Sequence, residues 1–367
     1  MGKKRFFDDR LKYLSFIQNT SEKKRISEKI YPHIASMPEN KTYLRVLDAG
    51  TGDGTIKSNV IKSFHRYHPY TSLLITGKEV SYEDLKNTLE KMPDRFVEHP
   101  NLLVTMTNVK FSELGSIESS NKINDKKVKK FNLVLKSDNS FDFNQQITGS
   151  LLGNFIKKNW GIEIDSKGRT SYSNPCIVRI YRDDHKRYLE SFIENDYENN
   201  NYDLIIASQA YRAAATVNSK VKNVIGPLMR LLNKSGKLLV THSSGGRAVQ
   251  KILKVAFKEK EAFPNTAKDI VDYLKDNPVG KNNRYSFVKP ISYGFNFKRA
   301  PDQTVAELFG HGIDAKWANI LYVGQIPEKD IRALDRKTAL LKKVKNEIKK
   351  AGQIQFKNEM FTIKKLR

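Results

Sequence analysis

Apolar residues recur at two different periods along this chain, and the change from one period to the other predicts its elements. Over residues 4–18, Phe6, Leu11, Leu14, Phe16 and Ile17 fall at helical spacing. Thr20-Ser21-Glu22-Lys23 offers a helix start, and Ile26, Ile30 and Ile34 follow at four-residue steps. Residues 43–48 then form an apolar run of strand length. A helix through Val60, Ile61 and Phe64, a strand at Leu73–Gly77, a helix from Ser81 to about residue 92 and a strand at Leu102–Met106 follow. After a helical preface the order is therefore β, α, β, α, β, the pattern of a parallel sheet with helices on both faces.

The rhythm breaks over residues 112–200, far longer than an ordinary crossover. This stretch holds a polar segment, a strand at 131–136, a helix at about 141–159, a strand at 175–181 and an Asn-rich end from Asn195 to Asn201. It reads as an inserted α+β subdomain or lid. The parallel pattern resumes with a strand from Tyr202, a helix at about 217–232, a strand at Lys237–Thr241 and a helix at 247–259. Strand candidates follow at 285–288 and 292–297, then helices over 302–351 and a short strand at Phe361–Ile363. The expected division is 1–40, a helical preface; 41–111 with 201–300, the core; 112–200, the insertion; and 301–367, a helical segment with the last strand.

Composition narrows the class. With 39% apolar and 10% aromatic residues, the 367-residue chain can bury a large core. No apolar run approaches the roughly 18–20 residues of a membrane span, and no apolar signal core follows the basic Met1–Arg5. The expectation is a soluble, cytoplasmic protein. The single cysteine, Cys176, excludes an internal disulfide and reads as a buried strand residue; seven scattered histidines show no metal-ligand spacing, so no metal is expected. The net charge of +25 comes from 47 Lys and only 18 Arg, so the residue that forks onto phosphate and guanine is not enriched. That charge leaves both a solvated surface and a nucleic-acid grip open.

The chemistry concentrates at Val46-Leu47-Asp48-Ala49-Gly50-Thr51-Gly52-Asp53-Gly54. Glycines after a strand let the backbone turn sharply and approach a ligand, while the next helix aims its first amides there. Dinucleotide-binding proteins space these glycines Gly-x-Gly-x-x-Gly. Here Gly50, Gly52 and Gly54 are each two apart, and Asp48 leads them. An acid there disfavours a pyrophosphate and suits a cation.

This loop resembles motif I of the class I S-adenosylmethionine-dependent methyltransferases. The resemblance spans residues 44–241 and implies a seven-stranded, mostly parallel α/β sheet with S-adenosyl-L-methionine as cofactor. It implies that Asp48, Gly50, Thr51, Gly52 and Gly54 hold the cofactor. Glu79, at the end of the second strand, would take the ribose hydroxyls, and Asn108, after the third, the adenine amino group. Ser208, at the end of the fourth, completes that set. The acceptor would dock at Ser208-Gln209-Ala210-Tyr211. The amino-methylating branches show Asp or Asn, then Pro-Pro and an aromatic, at this point. Here only the aromatic, Tyr211, stands in register.

Tyr211 is therefore a candidate catalytic residue, through its ring face, against a plain packing role. His242, at the end of the fifth strand, is a candidate general base or a helix cap. Gln209, Arg212 and Arg182 are candidate substrate contacts, with a surface charge cluster as the alternative for Arg182. Three functional readings follow: methyl transfer to a small-molecule acceptor (an N or O nucleophile) under the insertion as a lid, an RNA or DNA methyltransferase using the basic surface, and a non-enzymatic fold that only binds.

Overall fold

A computed structural model of the chain describes residues 10–117, 119–164, 170–194, 201–258, 260–280, 284–297 and 312–366. Phe6, the stretch from Asn195 to Asn200 and the segment 301–311 lie outside the described residues.

Two helices, α1 (Arg10–Asn19) and α2 (Glu22–Ala35), precede the sheet. Ile26, Ile30 and Ile34 share one face of α2, and all three are buried. The strand β1 (Tyr43–Asp48), the helix α3 (Thr55–Tyr67), and the strands β2 (Ser72–Lys78) and β3 (Leu102–Thr107) follow in the expected alternation. Residues 112–200 supply β4 (Lys122–Ile123), β5 (Lys126–Lys127), β6 (Lys129–Leu135), β7 (Ile162–Ile164), β8 (Thr170–Tyr172) and β9 (Cys176–Arg182). The remaining strands are β10 (Tyr202–Ser208), β11 (Leu232–Ser243), β12 (Tyr285–Phe295) and β13 (Phe356–Lys365).

The main sheet runs β12-β13-β11-β10-β1-β2-β3-β9-β6. Five contiguous strands, β3-β2-β1-β10-β11, are parallel. The sheet thus has nine strands, not the expected seven. The excess comes from the insertion. All of β9 is buried, and it pairs antiparallel to the edge of β3, with β6 parallel beside it. A strand this apolar needs cover on both faces, and joining β3 also removes an open edge.

Local chemistry explains smaller departures. The two strand candidates at 285–297 are one strand, β12, whose register shifts between Val288 and Ile291. Pro290 lies in that gap, with no amide for the ladder. The expected helix at 141–159 divides at Gly149 into Ser140–Thr148 and Ser150–Asn159. The last strand is longer than expected and enters the sheet interior, antiparallel between β11 and β12.

Strand alternation sends Leu238 and Val240 of β11 to one face, against the helix Ala267–Asp276. Leu239 goes to the other face, against α2 and α3. A third cluster joins Phe16 and Ile17 of α1 to Trp317, Val344 and Ile348. The basic helix Thr338–Ala351 therefore packs through its apolar stripe. Among the described residues no helix is long and apolar enough to cross a membrane.

His99 tests the packing of α3. Its ring lies 5.5 Å from that of Phe64, and its Nδ1 lies 3.3 Å from Nδ1 of His65. Burial, reinforced by His65, pushes its pKa from 6.5 down to about 4. The unfolded chain takes a proton near 6.5 and the folded one does not until about 4, so stability falls as pH drops through that window. Urea denaturation of wild type should lose about 2–3 kcal/mol more than His99→Leu between pH 7 and pH 4. Equal losses would contradict the packing.

Candidate functional site

At β1 the chain order reverses: β2 and β3 lie on one side, β10 and β11 on the other. Loops leaving β1 and β10 diverge there and open a crevice at the carboxyl ends of the strands. The glycine loop follows β1 and Ser208-Gln209-Ala210 ends β10, so both border it. The fold is Rossmann-like.

The crevice is a cleft of about 320 Å³. Its floor includes Ala49, Gly50, Gly52, Ser208, Gln209 and Ala210, with Lys78, Glu79 and Phe111 from the β2 and β3 ends. Tyr13 and Phe16 of α1, Glu22 and Lys23 of α2, and Tyr322, Val323 and Gln325 complete the wall. The Phe16 and Tyr322 rings lie 4.7 Å apart. The cover is thus built by α1 and the helix Gly312–Val323. No described residue of 112–200, the segment expected as a lid, lines this cleft.

The loop is held in shape from several sides. Gly52 and Gly54 take φ of 56° and 78°, the left-handed region that glycine tolerates. A Cβ on Gly52 would strike the Tyr13 hydroxyl, and one on Gly54 would lie 2.7 Å from Thr88 Cα. Glu79 accepts from the amides of Gly52, Val80 and Ser81, each at 2.8 Å. Thr51 is buried, and its hydroxyl reaches the Asp48 carbonyl at 3.4 Å.

Asp48 is the electrostatic anomaly. Its side chain is 1% exposed, and neither carboxylate oxygen meets full hydrogen-bond geometry with a described residue, although the Gly50 amide favours its charged form. Burial raises its pKa, against the opposing pull of Lys57 and Lys23. Lys57 is fully buried under the same loop, yet it donates to Met106 Sδ at 3.3 Å. Burial lowers the Lys57 pKa, and Asp48 works against that shift. Buried polar atoms are normally partnered, so a hydrogen-bond donor or a cation would complete this one. Ser208 adds a buried hydroxyl, without a partner among the described residues, on the cleft floor.

Of the expected site residues, Gly50, Gly52, Glu79, Ser208 and Gln209 line the cleft, and Asp48, Thr51 and Gly54 lie behind that lining; the rest lie elsewhere. Asn108 donates to the Asn174 carbonyl at 2.9 Å and accepts from the Cys176 amide at 2.9 Å, tying β9 to the end of β3. Cys176 is buried, and that burial pushes its thiol up to about 12. Tyr211 and His242 meet on the sheet face opposite α2, and neither lines the cleft. The Tyr211 hydroxyl lies 2.6 Å from His242 Nδ1, and His242 Nε2 lies 3.6 Å from Glu359 Oε2. Burial raises the Tyr211 pKa far above its usual value and lowers that of His242. Lys220, buried beneath the Tyr211 ring at 5.3 Å, is pushed down to about 8.

Arg182 pairs with Asp184 and packs its guanidinium 5.6 Å from the Phe143 ring, at the β9 edge. Arg212 is exposed beside Tyr211, outside the cleft lining. Gln209 does line it, with φ 53°. Periodicity could not reveal Glu22, Lys23, Tyr13 or Tyr322 as wall residues. Glu22 gave one signal: its place in the helix start Thr20-Ser21-Glu22-Lys23. Among the described residues no cluster of metal-ligating side chains occurs.

No family model and no curated protein matches the sequence. Among solved structures, the chain is similar to the cyclase SpnF, with TM-score 0.36 and 11% identity over 91% of this chain and 80% of that one. It is similar to MccD, with TM-score 0.40 and 8% identity over 93% and 96%. It is also similar to precorrin-6y C5,15-methyltransferase from Geobacter metallireducens GS-15, with TM-score 0.30 and 9% identity over 75% and 81%. A cyclase and a methyltransferase stand among these, so likeness of shape assigns no activity here.

The two bonds of Asn108 make a separable prediction. Asn108→Ala leaves the buried Cys176 amide unpaired, so the unfolding free energy should drop by about 1–3 kcal/mol in urea denaturation. An unchanged midpoint would remove the structural role.

Proposed function

We propose that this chain is an S-adenosyl-L-methionine-dependent methyltransferase acting on a small-molecule acceptor. The observation that carries the reading is Asp48: a buried carboxylate that no described side chain hydrogen-bonds, beneath a glycine loop at the switch point of the sheet. Such a group favours a cationic ligand over a pyrophosphate. Bound there, S-adenosyl-L-methionine supplies a methyl group activated on a sulfonium.

The residues that would hold it are Asp48, the loop from Gly50 through Thr51 and Gly52 to Gly54, Ser208 and Glu79. A carboxylate offers about four lone-pair sites. Glu79 uses three on backbone amides, which leaves one for a ribose hydroxyl. Asn108, engaged by β9, supports an adenine contact only through the shape it gives the β3 end.

The cleft walls would align an acceptor nucleophile with the methyl carbon and exclude water, which is where most of the rate gain arises. Tyr211 and His242, on the opposite face, would act from behind the strand ends rather than by contact, and Arg182 and Arg212 take no part in this cleft. The helical cover and a volume of about 320 Å³ favour a small acceptor. The RNA or DNA alternative rests on the net charge of +25, whereas the charged residues lining the cleft are Glu22, Glu79 and Asp84 against Lys23 and Lys78.

Asp48→Ala and Glu79→Ala should each weaken S-adenosyl-L-methionine binding at least tenfold in calorimetry, about 1.4 kcal/mol. Unchanged affinity in both folded variants would sink the cofactor assignment. A labelled-methyl screen should transfer label to a metabolite pool; transfer to total RNA alone would establish the alternative.

A further inference from the structure

Glu22 is an acid with no part in the cofactor reading, yet it opens α2, is 5% exposed and lines the cleft. Burying a carboxylate is costly unless its oxygens are hydrogen-bonded. Here two amides converge on one oxygen: Gln209 Nε2 and Asn358 Nδ2 each donate to Oε1 at 3.0 Å. Gln209 is itself fixed, since its Oε1 accepts from the Ser243 amide at 3.1 Å. Its backbone takes φ 53°, a left-handed conformation that a non-glycine residue adopts at a cost of about 1 kcal/mol or more. Strain of that kind concentrates at functional sites. Asn358 is fully buried in β13. The ends of two strands and the start of a helix thus orient one carboxylate, and among the described residues none donates to Oε2.

The surroundings select for positive charge. In a chain of net charge +25, the charged cleft residues are three acids and two lysines. The Lys23 ammonium already lies in the field of the Asp53, Glu22 and Asp48 carboxylates. Tyr13, Phe16, Phe111 and Tyr322 present aromatic rings to the same space, and ring faces attract cations.

Resting on the methyltransferase reading, we infer that the acceptor is an amine and that Glu22 Oε2 receives its ammonium and takes its proton. An N–H bond breaks as O–H forms on Glu22. The freed nitrogen lone pair bonds to the methyl carbon while the S–C bond breaks, and its electron pair stays on sulfur as a neutral thioether. The proton on Glu22 then passes to solvent. Burial raises the Glu22 pKa above its usual value, which makes it a stronger base than a free carboxylate. A hydroxyl acceptor brings no charge to this site, and a carboxylate acceptor is repelled by it.

The test is calorimetry on the full chain saturated with S-adenosylhomocysteine, titrated with benzylamine, benzyl alcohol and benzoate. Benzylamine should bind at least tenfold more tightly than the other two. Glu22→Gln should abolish that preference, while S-adenosylhomocysteine affinity stays within about twofold. Glu22→Asp, with the charge retained, should keep part of it and covers the case in which the amide variant does not fold. Equal or absent binding of the three probes, or a preference that survives both variants, overturns the proposal. Failure of S-adenosylhomocysteine itself to bind overturns the methyltransferase reading instead.

Discussion

The Glu79 carboxylate joins the end of β2 to the loop after β1, and the cleft depends on that bond. It acts with the Thr51 amide, which donates to the Lys78 carbonyl at 3.1 Å, and the Thr88 hydroxyl, which donates to the Gly52 carbonyl at 3.0 Å, to hold a loop whose Gly52 and Gly54 stand in left-handed conformations. Tyr13 holds the opposite side, accepting from the Asp53 amide at 3.2 Å. Between them the loop has one shape, and that shape leaves the Asp48 carboxylate beneath it without a side-chain partner among the described residues. Lys57 keeps the buried charge tolerable electrostatically but bonds elsewhere. The site is therefore incomplete in its hydrogen bonding where, on the proposed reading, a cationic ligand would complete it.

Much of the sheet was legible because parallel strands buried on both faces read as short apolar runs, and Leu102–Met106 shows this clearly. The glycine loop was legible because its chemistry is local: spacing and one leading acid. The nine-strand width was not legible. Whether Cys176–Arg182 forms its own subdomain or joins β3 is decided by a non-local pairing, and no local pattern encodes that partner. The cover was missed for the same reason. The insertion was expected as a lid, but its Phe143 and Trp160 fill the core. Tyr13 and Tyr322, far apart in sequence, close over the loop with ring centroids 6.3 Å apart.

The two faces of the strand ends carry different chemistry. On the α2 face, Gln209, Ser243 and Glu22 meet in the cleft. On the other, Tyr211, His242, Lys220 and Glu359 form a closed polar group that a strand period of two places behind the wall. His242 follows the alternation of β11 and faces with Leu238 and Val240, away from the cleft. Tyr211 lies beyond the end of β10, after a left-handed residue at Gln209, where strand alternation no longer tells which way a side chain faces.

A single ligand filling the cleft would touch both the glycine loop and the helical cover. Hydrogen exchange with and without S-adenosyl-L-methionine measures this directly. Protection should rise together at Ala49–Gly54, at Tyr13–Phe16 and at Tyr322–Gln325. Protection absent from the glycine loop, or confined to residues outside these three segments, would contradict it.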